Sequence, residues 1–411
     1  MSKAALQQAK PLAARQLALC LLAWLLAAPA WAQVESEPVL PAPAQQEVWL
    51  LTYGPGTTYW QRFGHNAIWL REPDGLDHAF NFGFFDFDQA GFLGNFLRGR
   101  LQYFAAAVDV RDELAAYQRE GRSIRAQRLS LSADEFLVLK AHLLHLTAPA
   151  NRSYLYDYYL NNCSTQLRDT LDLALNGALA ARFINEPARQ NFRQHTRRST
   201  QNSPLYYLGL ELGLGQPVDA PIDRWAEMFL PAVLADSLMP LQRGGQALVS
   251  EDLLLSAGTV TAVPMQAGIT WPLFAGVGLL LIFLLLGSMA MRRLPPALTL
   301  AGVFSWLFIS GMLGLGLTFL WFFTDHAFSQ HNANLLLCNP LWLLAFLPPL
   351  RRMVAVLMLL GLIAAVAMVA WPSGQYMDDM LVLVGPLNLI VALLLWQGLR
   401  PSVPSVSADN G

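Results

Sequence analysis

The segment Asn161-Asn162-Cys163-Ser164-Thr165 places a thiol where the chain can do chemistry. Asn161 or Asn162 is a good helix N-cap, Leu167, Leu171 and Leu175 recur at helical spacing, and Gly177 supplies a stop. Cys163 therefore falls in the first turn of a helix. Unpaired amides and the positive end of the helix dipole favour thiolate over thiol there, so a nucleophile with a lowered pKa is expected. A nucleophile also needs a base to take up and return protons, and His65, in Phe63-Gly64-His65-Asn66-Ala67, is the best placed. Protonated His65 would stabilise the thiolate further. His78 and Asn81 are the alternatives for orienting His65, and the Asn161 or Asn162 side chain is expected to join the Cys163 backbone amide in stabilising an oxyanion.

Other chemistries fit less well. His142 and His145 lie on a predicted helix and read as packing or surface residues, and His195 among Arg193, Arg197 and Arg198 reads as part of a solvated basic face. One cysteine with scattered histidines lacks the ligand spacing of a zinc site, so no metal or cofactor is expected. No Gly-x-Ser-x-Gly elbow occurs.

The elements that must position these residues are legible as strands over 48–53, 64–71 and 77–83, with Glu72-Pro73-Asp74-Gly75 as the turn between the last two. His65 then begins a hairpin. Helical patterns follow over 109–120, 132–146, 162–175 and 222–241, the second introduced by Ser132 and Glu135 at capping-box spacing. This predicts a mixed α+β domain.

At 54% hydrophobic and 14% charged, the whole chain is too apolar for an ordinary soluble protein. The formal net charge of −2 and the lack of a basic stripe remove the electrostatic argument for nucleic acid. Lys3, Lys10 and Arg15, the apolar run after Leu17 and Ala30-Trp31-Ala32 make residues 1–32 a cleavable signal peptide, in whose apolar run Cys20 lies. Its removal leaves only Cys163 and Cys338, which excludes a disulfide framework. A lone thiol in an oxidising compartment raises the prospect that Cys163 is kept for its reactivity. A proline-rich linker over 33–46 leads to a water-soluble domain over 47–258, and a second linker over 259–271 leads to a transmembrane bundle over 272–400 and a cytoplasmic tail over 401–411.

The bundle is expected to hold five apolar runs, 272–291, 297–323, 335–349, 353–371 and 380–399, the third of them short. With the soluble domain outside, Arg292, Arg293, Arg351, Arg352 and Arg400 all fall on the cytoplasmic side, while the outward connections carry no Lys or Arg. The first outward connection contains Asp325, His326, His331, Asn332 and Asn334. It is either a solvated loop or a site for substrate or lipid headgroup.

The motifs Phe63-Gly64-His65, Asn81-Phe82-Gly83-Phe84-Phe85-Asp86-Phe87, Phe96-Leu97-Arg98-Gly99-Arg100, Gly121-Arg122-Ser123 and Tyr156-Asp157 through Asn162-Cys163-Ser164-Thr165 resemble those of the Lnb family. Members are bacterial membrane proteins whose N-terminal periplasmic domain is implicated in lipoprotein N-acylation. The resemblance covers roughly 47–258, with weaker similarity through the loop and third membrane run. Histidine before cysteine also looks like circularly permuted papain-like folds, the NlpC-like amidases and lecithin:retinol-type acyltransferases. The resemblance implies an α+β periplasmic domain of permuted papain/NlpC-like fold, followed by an all-α membrane bundle of about five helices in the bacterial inner membrane. It further implies a thiol acyltransferase: an acyl chain would leave a phospholipid, rest as a thioester on Cys163, and pass to the terminal amine of a diacylated lipoprotein. The alternatives are a cysteine amidase or peptidase acting on cell-wall peptide, and a non-catalytic envelope scaffold that binds lipid or protein. The sequence leaves the oligomeric state open.

Overall fold

The apolar run Glu47–Tyr53 forms β1, and six of its seven residues are buried, as a strand covered on both faces requires. It is a central strand of a seven-stranded antiparallel sheet of order β6-β4-β3-β2-β1-β5-β9. This is a computed structural model, which describes residues 43–398 except 74, 87, 90, 291–295 and 371–373. The expected signal peptide, most of the first linker, Arg292, Arg293, Arg400 and the tail over 401–411 lie outside the described residues.

The exported domain runs β1, β2 (His65–Arg71), β3 (Asp77–Phe84), α1 (Phe92–Arg98), β4 (Gln102–Asp109), α2 (Val110–Arg119), β5 (Ile124–Leu129), α3 (Ala133–Thr147), β6 (Ser153–Leu155) and α4 (Cys163–Ala174). Helices α5 (Ala178–Phe183), α6 (Phe192–Thr200), α7 (Pro204–Gly213), α8 (Arg224–Glu227) and α9 (Pro231–Leu238) follow, then a short hairpin, β7 (Gln242–Arg243) and β8 (Gln246–Ala247), and the edge strand β9 (Val249–Ser256). The expected helix over 222–241 is two helices, because Pro231 ends one hydrogen-bond ladder and begins another at N1.

Alternation on the strands divides the sheet's two faces. Val48, Leu50, Ile68, Leu70, Phe80 and Phe82 share one core with α3, α4 and α9, through Leu139, Leu171 and Leu234 among others. By the period of two, Tyr53, His65 and Asn81 stand on the other face, toward α2. The expected capping box Ser132–Glu135 opens α3, and Asn162 caps α4 in a reciprocal arrangement with Thr165.

Beyond the linker, four helices among the described residues are long and apolar enough to cross a membrane. They are α10 (Trp271–Ala290), α11 (Pro296–Phe323), α12 (Arg351–Ala370) and α13 (Asp378–Trp396). The third run expected as a helix is different. Residues 333–350 form 3₁₀ turns, Ala333–Leu336, Pro340–Phe346 and Pro348–Leu350, because Pro340, Pro348 and Pro349 remove amide donors. This stretch lies antiparallel along α11, from Asn339 beside Gly314, through Leu343 beside Gly311, to Phe346, whose ring lies 5.2 Å from that of Phe304. Such backbone is tolerable at membrane depth only when buried in protein with its polar groups satisfied. Trp342 is 2% exposed, and Asn388 of α13 donates to the Leu337 carbonyl (2.8 Å) while accepting from Trp306 (2.9 Å).

The exported domain is fixed to this bundle by polar contacts. Arg197 of α6 bonds both Glu211 and Asp378 at 2.7 Å, and Tyr207 donates to Asp379 at 2.5 Å.

Candidate functional site

Three elements converge at one end of the sheet. The N-terminus of α4 abuts β2 and β3, so that the Cys163 thiol meets the backbone amide of Asn66, the residue after His65, besides those of Ser164 and Cys163 itself. On β3 the neighbour is Gly83. A Cβ there would lie 3.7 Å from that of Cys163, and its φ of +98° sits at a break in the β3–β4 register, so the strand turns aside through a conformation that favours glycine. Gly64 is required for a second reason: a Cβ on it would stand 2.7 Å from the Tyr53 carbonyl.

The histidine is held by a chain of hydrogen bonds. His65 Nε2 lies 2.8 Å from Asn81 Oδ1, Asn81 Nδ2 donates to Glu113 Oε2 at 2.6 Å, and Tyr53 donates to Glu113 Oε1 at 2.6 Å. Because Asn81 spends its amide donor on the carboxylate and on the Ala79 carbonyl, its oxygen faces the ring. Nε2 then carries the hydrogen and Nδ1 is left as the basic nitrogen. Behind the imidazole, Tyr53 and Tyr117 stack at 3.6 Å between centroids, and the Arg122 guanidinium covers Tyr117 at 4.5 Å.

The protonation states differ from the sequence expectation. Burial pushes the Cys163 thiol up, against the local amides and Arg122, which favour the thiolate. Burial likewise lowers His65 to about 4, with the Asn81 bond opposing it and Arg122 adding to it. The helix N-terminus is present, but desolvation outweighs it, and a neutral imidazole adds no charge to help. The resting pair is thiol and imidazole, not thiolate and imidazolium. Burial also raises Glu113 to about 7, despite the bonds from Tyr53 and Asn81.

The other expected residues are placed as follows. His78 pairs with Leu70 in the β2–β3 register, five residues along β2 from His65, or about 16 Å of strand at ~3.3 Å per residue, and cannot orient it. The Asn162 amide donates to the Tyr158 and Phe229 carbonyls, both at 2.9 Å, and its oxygen caps Thr165. Asn161 donates to the Leu155 carbonyl at 2.7 Å and accepts from Gln166. Both side chains are committed to the loop before α4: Asn162 has spent both amide hydrogens there, and Asn161 one of its two. In the membrane-proximal loop, Asn332 donates to the Leu212 carbonyl and Asn334 to Glu211, each at 2.8 Å, and both are buried. Their amides tie the loop to the end of α7. His326 reaches the Phe96 carbonyl at 3.1 Å, and the exposed His331 lies 5.2 Å from Trp321. His195, expected on a solvated face, is 2% exposed and bonded to Glu227 at 2.8 Å.

Two groups at the candidate site escaped the sequence reading. Glu113 looked like an ordinary acidic residue in the first turn of a helix. Arg122 stood in the Gly121-Arg122-Ser123 motif without a role. It is 3% exposed, donates to the Gly54 carbonyl at 2.7 Å, and its Nη2 has no partner among the described residues. An aromatic wall, also unforeseen, leads to the thiol: Trp60 and Phe85 at 6.2 Å, Phe85 and Tyr103 at 5.3 Å, then Tyr103 and Tyr156 at 4.1 Å. Tyr156 ends it, beside Gly83.

A helix-borne cysteine whose thiol meets the amide next to a strand-borne histidine, in an α+β domain carried on apolar helices, marks a candidate Cys–His site in a membrane protein. Residues 42–200 match the family model described as the Lnb N-terminal periplasmic domain, so the resemblance read from the motifs holds and the N-terminal domain is periplasmic. No curated protein and no solved structure matches the chain.

Proposed function

We propose that this protein is a thiol acyltransferase of the bacterial inner membrane, which moves an acyl chain from a phospholipid through Cys163 to the terminal amine of a diacylated lipoprotein. The observation that supports the reading is the Cys163 thiol against the Asn66 amide, next to His65, in a domain bonded directly to apolar helices through Arg197–Asp378 and Tyr207–Asp379. Donor and acceptor are both lipids of one leaflet, and a membrane platform suits them; a soluble amidase needs none.

His65 Nδ1 takes the thiol proton as Cys163 sulfur attacks the ester carbonyl. The oxyanion is met by the Cys163 amide, and the nearby charge of Arg122 favours negative charge there. When the intermediate collapses, the ester C–O bond breaks and the departing alkoxide recovers the proton from His65. The acceptor amine then attacks the thioester, gives up a proton through His65 and leaves as an amide, restoring the thiol. Asn81 and Glu113 hold the imidazole in the tautomer this needs. The aromatic wall offers an apolar lane for the chain.

With phospholipid and no acceptor, the wild-type protein should accumulate an acyl group that hydroxylamine releases at neutral pH. His65→Ala should accumulate it more slowly and Cys163→Ala not at all. A diacylated lipopeptide with a free terminal amine should then discharge the enzyme, giving an amide that hydroxylamine leaves intact. Peptide cleavage with no acyl-protein would overturn the reading in favour of an amidase.

A further inference from the structure

Helix α1 exposes an unusual amount of apolar surface for a seven-residue element: none of its residues is buried, and Leu93, Phe96 and Leu97 are 67%, 51% and 47% exposed. Its spacing gathers these three on one side, at i, i+3 and i+4. Soluble surfaces rarely leave such patches uncovered. The helix is also tied at its C-terminal end to the chain leaving the membrane. The Asp325 amide donates to the Arg98 carbonyl at 2.8 Å, His326 reaches the Phe96 carbonyl at 3.1 Å, and Arg100 pairs with Asp325. Asp325 is two residues beyond Phe323, where α11 ends. The last turn of α11 shows Phe322 and Phe323 outward, 64% and 70% exposed. The apolar side chains of α1 and of the span's outer end therefore lie at neighbouring levels.

We infer that α1 lies in the outer-leaflet boundary of the bilayer, with Leu93, Phe96 and Leu97 among the upper acyl carbons and Arg98 at the level of the phosphates. The occupant of this face is lipid, because the surface continues from a membrane-spanning helix that lipid already covers. The exposed Arg98 side chain supplies the complementary charge, having no ion-pair partner among the described residues. Elements of this kind sink about 5–10 Å into the headgroup region. The consequence is that the Cys163 end of the sheet is held at the lipid surface by the domain itself, whatever reaction occurs there.

The test uses the full chain in nanodiscs of palmitoyl-oleoyl phosphatidylethanolamine and phosphatidylglycerol, in a Cys163→Ser background with buried Cys338 left in place. Nitroxides are attached to Leu93→Cys, Leu97→Cys and, as control, Ser250→Cys on the exposed start of β9. Labels at 93 and 97 should collide more with oxygen than with a water-soluble nickel chelate, and the label at 250 should do the reverse. Nickel-dominated collisions at all three positions overturn the inference, and so point to water or an absent protein partner over α1. The unmodified chain gives an independent measurement: phosphatidylglycerol with a photoreactive acyl chain should label the peptide over 91–100, and its escape from labelling would equally refute the placement. Neither result depends on acyl transfer.

Discussion

Glu113 and His65 are coupled through Asn81, and burial moves their pKa values toward each other's usual range. Glu113 rises from 4.5 to about 7, while His65 falls from 6.5 to about 4. The signs are opposite for stability. A carboxyl whose folded pKa is raised holds its proton more tightly in the native state, so its contribution is intact below pH 4.5 and is lost as pH rises through 7. A histidine whose folded pKa is lowered contributes stability present above pH 6.5 and lost as pH falls through 4. At about 1.4 kcal/mol per unit each amounts to about 3 kcal/mol, less for His65 in so far as water reaches the partly exposed ring. In the wild-type protein the two nearly cancel across this window. Glu113→Gln should uncover the histidine, giving a domain whose stability rises between pH 4 and 6.5. His65→Ala should uncover the carboxyl, giving stability that falls between pH 4.5 and 7. Thermal unfolding of the exported domain, followed in the detergent-solubilised full chain over pH 4 to 8, reads both. Parallel profiles for the wild type and the two variants would refute the burial of this network, and with it the neutral resting state of the site.

The same reasoning fixes how the thiol should react. Alkylation of Cys163 by iodoacetamide should climb about tenfold per pH unit through pH ~8.5, the ordinary thiol value, with no plateau between pH 5 and 7, where an ion pair would produce one. In the outward loop, Asn334→Ala takes from the Glu211 carbonyl its side-chain donor, while Leu212 keeps Asn332, and should destabilise the domain by about 1–3 kcal/mol in thermal unfolding. Protein that remains folded should still form acyl-enzyme at the wild-type rate; a stable variant with lost turnover would return Asn334 to the substrate site. For topology, a reporter active only outside the cytoplasm should work when fused after Gln330 or Gly374 and be silent after Leu350.

The sequence made the positions of Cys163 and His65 legible because each rests on local grammar. A cap, a leucine spacing and a glycine stop placed the cysteine at a helix start, and a turn signal placed the histidine at the head of a hairpin. What local grammar lacks is depth. The amides at the start of α4 favour a thiolate, but how much protein surrounds them depends on three elements far apart in sequence, and that burial reverses the sign of the shift. Glu113 escaped for a related reason: an acidic residue at a helix start is common, and only the strand register brings Asn81 to it. Asn162 and Asn334 show the opposite limit, since amides near a site look like substrate contacts until the carbonyls that take both their hydrogens are seen. Strands β4, β5 and β9 lacked a clean alternation, and were found only as neighbours of strands already recognised.

The 3₁₀ stretch beside α11 bears on parity. Four apolar helices alone would return the chain to the side on which the exported domain stands, and a count by hydropathy and helix length places the C-terminus there. Yet Trp396, at the end of α13, lies under Arg352 at 6.0 Å, and Arg351 at the start of α12 covers Phe304 near the inner end of α11. These contacts set the end of α13 beside the start of α12, so the expectation that the fusion reporters test is an odd number of passages, one of them without a long helix. A tag or partner domain appended to this protein should then be delivered to the compartment opposite the Cys–His site. With that topology, an element that regulates the site from the C-terminal side would act across the bilayer, through the packing of α13 against its neighbours.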